Sequence, residues 1–303
     1  ARLATHPDVA DLTPEVLQRL VAAGVDVELL ASEPLPMDAG PRSGALSDPL
    51  RGVRESTADL AVVGLKALRG SAAEDLTTVA VLPRLEVRDV LVTVTGSATL
   101  RGLPRGARVG LSGARRRAFL AAHRPDVVSV PLDGPGLDRV ATRYRARLEG
   151  RDDAGEASPS SDRVDAILVS ALEARAAGLT DAMVEGLEPK AWLPEPGQGA
   201  LALVARHPIA EASALDHLPT RTALRAELAL LDALEADEDA AIGCLAQPSG
   251  RWIRLWAAAV SADGRRLVRS DRTGPLDEPE GLGAAVAKEL VVRGIELLTS
   301  AST

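Results

Sequence analysis

Cysteine is almost absent from this chain: 303 residues hold one, Cys244, so no internal disulfide can form. Aromatic residues make up only 2%, with three Trp, one Tyr and one Phe, which excludes a stacking platform for single-stranded nucleic acid. Lysine occurs only at Lys66, Lys190 and Lys288, and the net charge is −8, so nucleic acid is excluded as a partner on charge as well. No apolar run reaches the ~20 residues that a bilayer requires, so no membrane association is expected. His6, His123, His207 and His217 show no metal-ligand spacing, and with one cysteine a structural zinc site is not expected. The opening residues Ala1 to Thr5 carry no signal-peptide hydrophobic region. Together with the cysteine count, this leads us to expect a cytoplasmic protein.

What is present is ordinary globular material, 46% hydrophobic and 26% charged, rich in Ala, Leu, Val and Arg. The first two-thirds alternate helix-like and strand-like segments. Pro14 to Ala23 has the apolar spacing of an amphipathic helix, with Thr13 as N-cap and Pro14 in its first turn. Strands are expected at Val25–Ala31, Asp59–Val63 and Val90–Val94. The pattern then restarts, with strands at Ala107–Leu111, Val127–Val130 and Asp165–Val169 and helices at Arg115–His123 and Leu137–Leu148. An Asp-, Gly- and Ser-rich stretch from Gly150 to Ser161 reads as a loop. Short continuous apolar runs between helices predict largely parallel sheets covered on both faces, in two doubly wound α/β domains.

From about Thr220 the character changes. A long helix over Thr222–Ala236, a hairpin of Trp252–Ser261 with Arg265–Thr273, and a closing helix over Leu282–Leu298 predict a separate α+β domain. Cys244 falls between its first helix and its first expected strand. The expected division is 1–94 with 195–212, then 95–194, then 213–303.

Three local patterns bear on chemistry. Leu193-Pro194-Glu195-Pro196-Gly197-Gln198-Gly199-Ala200-Leu201 sets two glycines around a polar residue just before an apolar strand. Glycine allows positive φ and close backbone approach there, as a crossover between domains would need; a plain structural turn is the competing reading. Ser112-Gly113-Ala114-Arg115-Arg116-Arg117 follows a strand and opens a helix. Helix-start N–H groups and guanidinium forks suit carboxylate or phosphate, against a solvated basic turn. Successive helical residues point about 100° apart, so all three arginines cannot reach one ligand. Lys66 sits just past the Asp59–Val63 strand, at the end where open α/β sheets bind ligands.

In order along the chain these segments resemble the porphobilinogen deaminase (hydroxymethylbilane synthase) family. The resemblance rests on Arg2-Leu3-Ala4-Thr5, on Ala58 to Val62 followed by Lys66, and on Gly110 to Arg116. It is completed by Arg139, by the Pro-x-x-Gly-Gln-Gly-Ala motif in Leu193–Leu201, and by Gly243-Cys244. It implies two periplasmic-binding-protein-like domains plus the C-terminal α+β domain. It also implies a monomeric transferase of tetrapyrrole biosynthesis. That enzyme joins four porphobilinogen units on a dipyrromethane cofactor, loses ammonia at each addition, and releases the linear product by hydrolysis. By the same resemblance Cys244 carries the cofactor covalently, and Lys66, Arg115 and Arg116 bind it. Ser112, Arg139, His6 and Gln198 bind the carboxylate-bearing substrate.

The chain also departs from the family pattern. Ala67 stands where the family has its catalytic aspartate, so no catalytic residue is assigned. His6 and Asp133 replace arginines, Leu111 and Gly113 replace hydroxyl residues, and Ala176 takes an arginine position with Arg175 one place away. Two alternatives therefore stay open beside the transferase. One is a divergent paralogue of the same fold with different small-molecule chemistry, and the other is a non-catalytic ligand-binding protein.

Overall fold

The structure, a computed structural model, describes residues 1–5, 13–30, 48–64, 75–93, 99–132, 141, 164–179, 184–237 and 239–294. The chain begins with β1 (Arg2–Thr5), α1 (Thr13–Ala22), β2 (Glu28–Leu29), α2 (Asp48–Arg54), β3 (Leu60–Gly64) and β4 (Thr77–Val81). There follow β5 (Asp89–Thr93), β6 (Arg108–Leu111), α3 (Ala114–His123), β7 (Val128–Pro131), β8 (Ala166–Ser170), α4 (Ala171–Ala176) and β9 (Val184–Gly186). The last elements are β10 (Leu201–Ala205), α5 (Ala210–Ser213), α6 (Leu218–Ala233), β11 (Ile242–Ser249), β12 (Trp252–Val260), β13 (Leu267–Pro275) and α7 (Pro279–Val292). Among the described residues no helix is long and apolar enough to cross a membrane. The expected helix at Leu137–Leu148 and loop at Gly150–Ser161 fall outside the described residues, apart from Ala141.

Two compact units form, one of Ala1–Glu86 with Gly197–Leu224, the other of Val87–Pro196 with Arg225–Thr303. The first holds a five-stranded sheet in the order β2-β1-β3-β10-β4. Strands β1, β2 and β3 run parallel, and β10 lies antiparallel between β3 and β4. The second holds β7-β6-β8-β5-β9, in which β6 is parallel to β7 and β8 while β5 runs antiparallel to β8 and β9. Both sheets are therefore mixed rather than largely parallel. Strands β5, β8 and β10 are buried at every position, and that produced the continuous apolar runs. Such runs report burial on two faces and carry no information on strand direction. The expected Val25–Ala31 strand shortens to the pair Glu28–Leu29.

The second unit also contains the antiparallel sheet β11-β12-β13. Its core is continuous with that of the neighbouring α/β sheet: Phe119, Leu120, Trp192 and Leu193 pack in one cluster with Leu245, Ala258 and Val260. Gly283 of α7 lets that helix press against α6, since a Cβ there would lie 2.5 Å from the Ala226 carbonyl oxygen. Cys244 does not lie between a helix and the first strand: β11 is itself the first strand, and Cys244 pairs with Ala257 of β12. As the edge strand, β11 points alternate N–H groups away from β12. Cys244 N donates to Pro194 O at 2.9 Å and Ala246 N donates to Oε1 of the fully buried Glu227 at 2.8 Å, so this edge is covered.

Candidate functional site

In the second unit the site is built around one carboxylate. Asp89, the first residue of β5, is completely buried. Its Oδ2 accepts from Arg115 Nη2 at 2.5 Å and from Trp192 Nε1 at 2.8 Å, and its Oδ1 accepts from Arg116 Nε at 3.2 Å. Both arginines lie in the first turn of α3 and are themselves more than nine-tenths buried, while Arg117 is exposed. The helical rotation that turns Arg117 away leaves two adjacent guanidiniums able to converge on the two oxygens of one carboxylate. Arg116 also donates through Nη2 to Glu173 Oε2 at 2.7 Å. The same Glu173 oxygen accepts from Ser170 N at 2.6 Å, closing a capping box that fixes the start of α4.

Electrostatics decide the protonation of this cluster. Burial alone would push the Asp89 carboxyl up, but the charges of Arg115 and Arg116 outweigh it and hold Asp89 below the ordinary carboxylate range. Glu173 is lowered in the same way, its burial overcome by Arg116 and by the Ser170 N–H. For Arg116 the cost of burial is outweighed by Asp89 and Glu173, which keep it charged.

Three consecutive residues tie this cluster to the cysteine. Trp192 donates to Asp89, the Leu193 carbonyl accepts from Arg115 Nη1 at 2.8 Å, and the Pro194 carbonyl accepts from Cys244 N at 2.9 Å. Gly243 allows the approach, since a Cβ on it would stand 2.7 Å from Leu193 O and 3.0 Å from Phe119 Cζ. Cys244 is fully buried. The ring of Phe119 meets Trp192 edge-on at 5.6 Å, with the Arg115 guanidinium 5.8 Å from the Phe119 ring centre.

Of the residues expected at the site, Arg115 and Arg116 meet on Asp89, while Cys244 is tied through its backbone N to Pro194, next to the Leu193 carbonyl that holds Arg115. Ser112 is exposed at the entry to α3, with Oγ 3.5 Å from Arg116 Nη1, at the outer limit of a hydrogen bond. Gln198 is half-buried in the first unit, between Gly197 at φ 80° and Gly199 at φ 77°, and its carbonyl accepts from Arg84 Nε at 3.0 Å. Arg175 and Ala176 are both exposed on α4. His6, Lys66, Ala67, Asp133 and Arg139 lie outside the described residues.

Sequence reasoning missed Asp89, Glu173 and Trp192. Two signals were available. An aspartate heading an otherwise apolar strand, Asp89-Val90-Leu91-Val92-Thr93, must find cations when buried, and Ser170-x-x-Glu173 has capping-box spacing.

Residues 50–214 match the family model described as "Porphobilinogen deaminase, dipyromethane cofactor binding domain". A porphobilinogen deaminase of Desulforudis audaxviator is 36% identical over 240 residues, covering 78% of this chain and 72% of that one. The chain belongs to the porphobilinogen deaminase family. A second porphobilinogen deaminase, from Roseiflexus castenholzii, is 35% identical over 250 residues, or 81% of this chain and 77% of that one. Among solved structures, a nutrient binding protein from Burkholderia cenocepacia bound to methionine is similar to 68% of this chain and 84% of its own. Its TM-score is 0.37 and its identity 15%.

The matched domain of this porphobilinogen deaminase family member is the one that binds dipyrromethane. Within the matched residues, Arg115 and Arg116 are cations of the kind that pair with the carboxylates of such a group, and in the structure both are held by Asp89 and Glu173.

Proposed function

We propose that this chain is a hydroxymethylbilane synthase-like transferase. On this reading it carries dipyrromethane on Cys244, extends it with porphobilinogen, and runs slowly because Ala67 replaces the family's carboxylate. The observation that supports this most is the junction at Leu193–Pro194, where neighbouring carbonyls accept from Arg115 and from Cys244. When bound, the dipyrromethane would supply the free pyrrole α-carbon to which the first porphobilinogen unit is joined with loss of ammonia.

The residues divide the work as follows. Cys244 Sγ anchors, and Arg115 and Arg116 pair with acetate and propionate groups. Lys66, Ser112, Arg139, His6 and Gln198 complete carboxylate recognition on the family pattern. Ala67 can neither move a proton nor stabilise a developing cation, which removes a contribution of ~10²–10⁴-fold. The reading includes the three-part division 1–94 with 195–212, 95–194 and 213–303, and a monomer working in the cytoplasm on a small carboxylated molecule.

A second reading draws on Ala67: with no acid–base group at the family's carboxylate position, the chain would bind a carboxylated ligand without turning it over. Incubation with porphobilinogen followed by intact mass and product absorbance separates the two. The transferase predicts a mass increment of two linked pyrroles that Cys244→Ser abolishes, with slow product formation. No increment overturns it. Thermal stabilisation by porphobilinogen that survives Cys244→Ser, without product, establishes the binding protein instead.

A further inference from the structure

The groups around Arg116 lie at different depths. Asp89, on its Nε, is completely buried, and the Arg116 side chain itself is 9% exposed. Glu173, on its Nη2, has a side chain 34% exposed. Ser112, whose Oγ stands 3.5 Å from Nη1, is exposed at the entry to α3. Arg115 gives Nη1 to the Leu193 carbonyl and Nη2 to Asp89, both inside the protein. The outward side of the pair is therefore the Nη1–Nη2 edge of Arg116, and Glu173 already takes its Nη2 end. A guanidinium grips a carboxylate along one edge, with two parallel N–H···O bonds. The Nε–Nη2 edge is shared by Asp89 and Glu173. A ligand carboxylate can fork onto Arg116 only at Nη1 and Nη2, where Glu173 stands in its way.

We propose that Glu173 is a resident carboxylate that holds the place of a ligand's carboxylate on Arg116 and must leave Nη2 before that ligand can pair there. The inference rests on the reading of Arg116 as a carboxylate-binding residue. The exchange swaps one negative charge for another, so the ligand's remaining contacts must supply its affinity. Small anions that offer only a carboxylate are thereby disfavoured, and a ligand with further groups is selected. Glu173 is suited to the exchange. Its Oε2 also accepts from Ser170 N at 2.6 Å, and its own N–H donates to Ser170 Oγ at 3.1 Å. The capping box thus keeps a partner for the carboxylate when Arg116 is taken, and α4 stays anchored.

The test is Glu173→Gln, which removes the charge and keeps the capping box, since glutamine serves at that position as glutamate does. The probe is a pyrrole bearing acetate and propionate side chains but no aminomethyl group, so it has no leaving group. Its diamide is the uncharged counterpart. Affinities are measured by titration calorimetry on the purified full chain. Glu173→Gln should bind the diacid about tenfold more tightly than wild type, the lower end of what a hydrogen bond to a charged group contributes. It should bind the diamide as wild type does. Glu195→Gln is the control for charge without contact, because Glu195 acts on Arg116 through its charge alone. That variant should change diacid affinity by less than about twofold, as a screened charge does.

An unchanged diacid affinity in Glu173→Gln overturns the resident carboxylate. An equal gain for the diamide, or an equal gain in Glu195→Gln, overturns it as well. If both proteins prefer diacid to diamide yet bind the diacid equally, the reading of Arg116 stands and only the resident carboxylate falls. If neither protein prefers the diacid, the reading of Arg116 falls with it. The mass increment on Cys244 decides the transferase separately.

Discussion

The indole of Trp192 donates to the buried carboxylate of Asp89 at 2.8 Å, and that carboxylate in turn bridges Arg115 and Arg116. Removing the negative charge leaves two buried cations that have lost their shared carboxylate, with Glu173 and Glu195 still acting on Arg116. Breaking a buried pair from one side costs about 3–5 kcal/mol, and Asp89→Asn should lose that much stability in urea denaturation at neutral pH. Asparagine preserves shape and one acceptor oxygen, so a loss below about 1 kcal/mol would show that the charge itself contributes little.

The same cluster contributes to the response to acid, alongside other carboxylates held low, Asp59, Asp126 and Asp216 among them. Asp89 and Glu173 have folded values below their ordinary 3.8 and 4.5, so each contributes stability that is present above its unfolded value and lost as pH falls. The urea midpoint should hold steady from pH 7 to about 5, begin to drop as pH falls below 4.5 and then 3.8, and go on dropping toward the lower folded values. Asp89→Asn should flatten the lower part of that drop. Equal acid sensitivity in the wild type and the variant would place the effect elsewhere.

How far the sequence could be read depended on which force set each element. Strands β3, β5, β8 and β10 were legible because burial on both faces demands continuous apolar residues. Their direction was not, because pairing partners lie far apart in the chain. Strand β11 was hidden by Gly243 and Pro248, both poor strand formers. It survives because an edge strand tolerates proline and because Gly243 makes room for Leu193. Cys244, Arg115 and Arg116 were legible as candidate residues from their types and motifs. Asp89, which organises two of them, was not, since nothing local to Arg88-Asp89-Val90 says which cations will meet it. Lys66, Ala67 and Arg139 rest on sequence alone.

Gly243 makes the approach of β11 to Leu193 testable. An alanine Cβ there would sit 2.7 Å from a backbone oxygen and 2.9 Å from Leu193 Cβ, so the strand or the segment must move. Gly243→Ala should cost about 1–3 kcal/mol, the usual range for overpacking, and should slow loading of Cys244. Gly281, exposed in α7 with nothing within 4 Å of the added Cβ, provides the contrast. Gly281→Ala should raise stability by about 0.5–1 kcal/mol through helix propensity and the unfolded chain, without touching the site. Thermal or urea melts of the two variants check both signs.

Restoring the missing carboxylate addresses activity most directly. Lys66 is retained and is followed by Ala67, where the family pattern has aspartate. If the rest of the site retains the family's chemistry, Ala67→Asp should raise product formation from porphobilinogen by ~10²–10⁴-fold, the usual contribution of a positioned acid–base group. The mass increment on Cys244 should be present before and after the substitution, because anchoring uses the thiol and the arginines rather than residue 67. A variant that carries the increment yet stays at the wild-type rate would show that further changes, His6 and Asp133 first among them, also limit turnover. A variant with no increment at all would remove the cofactor, and the transferase with it.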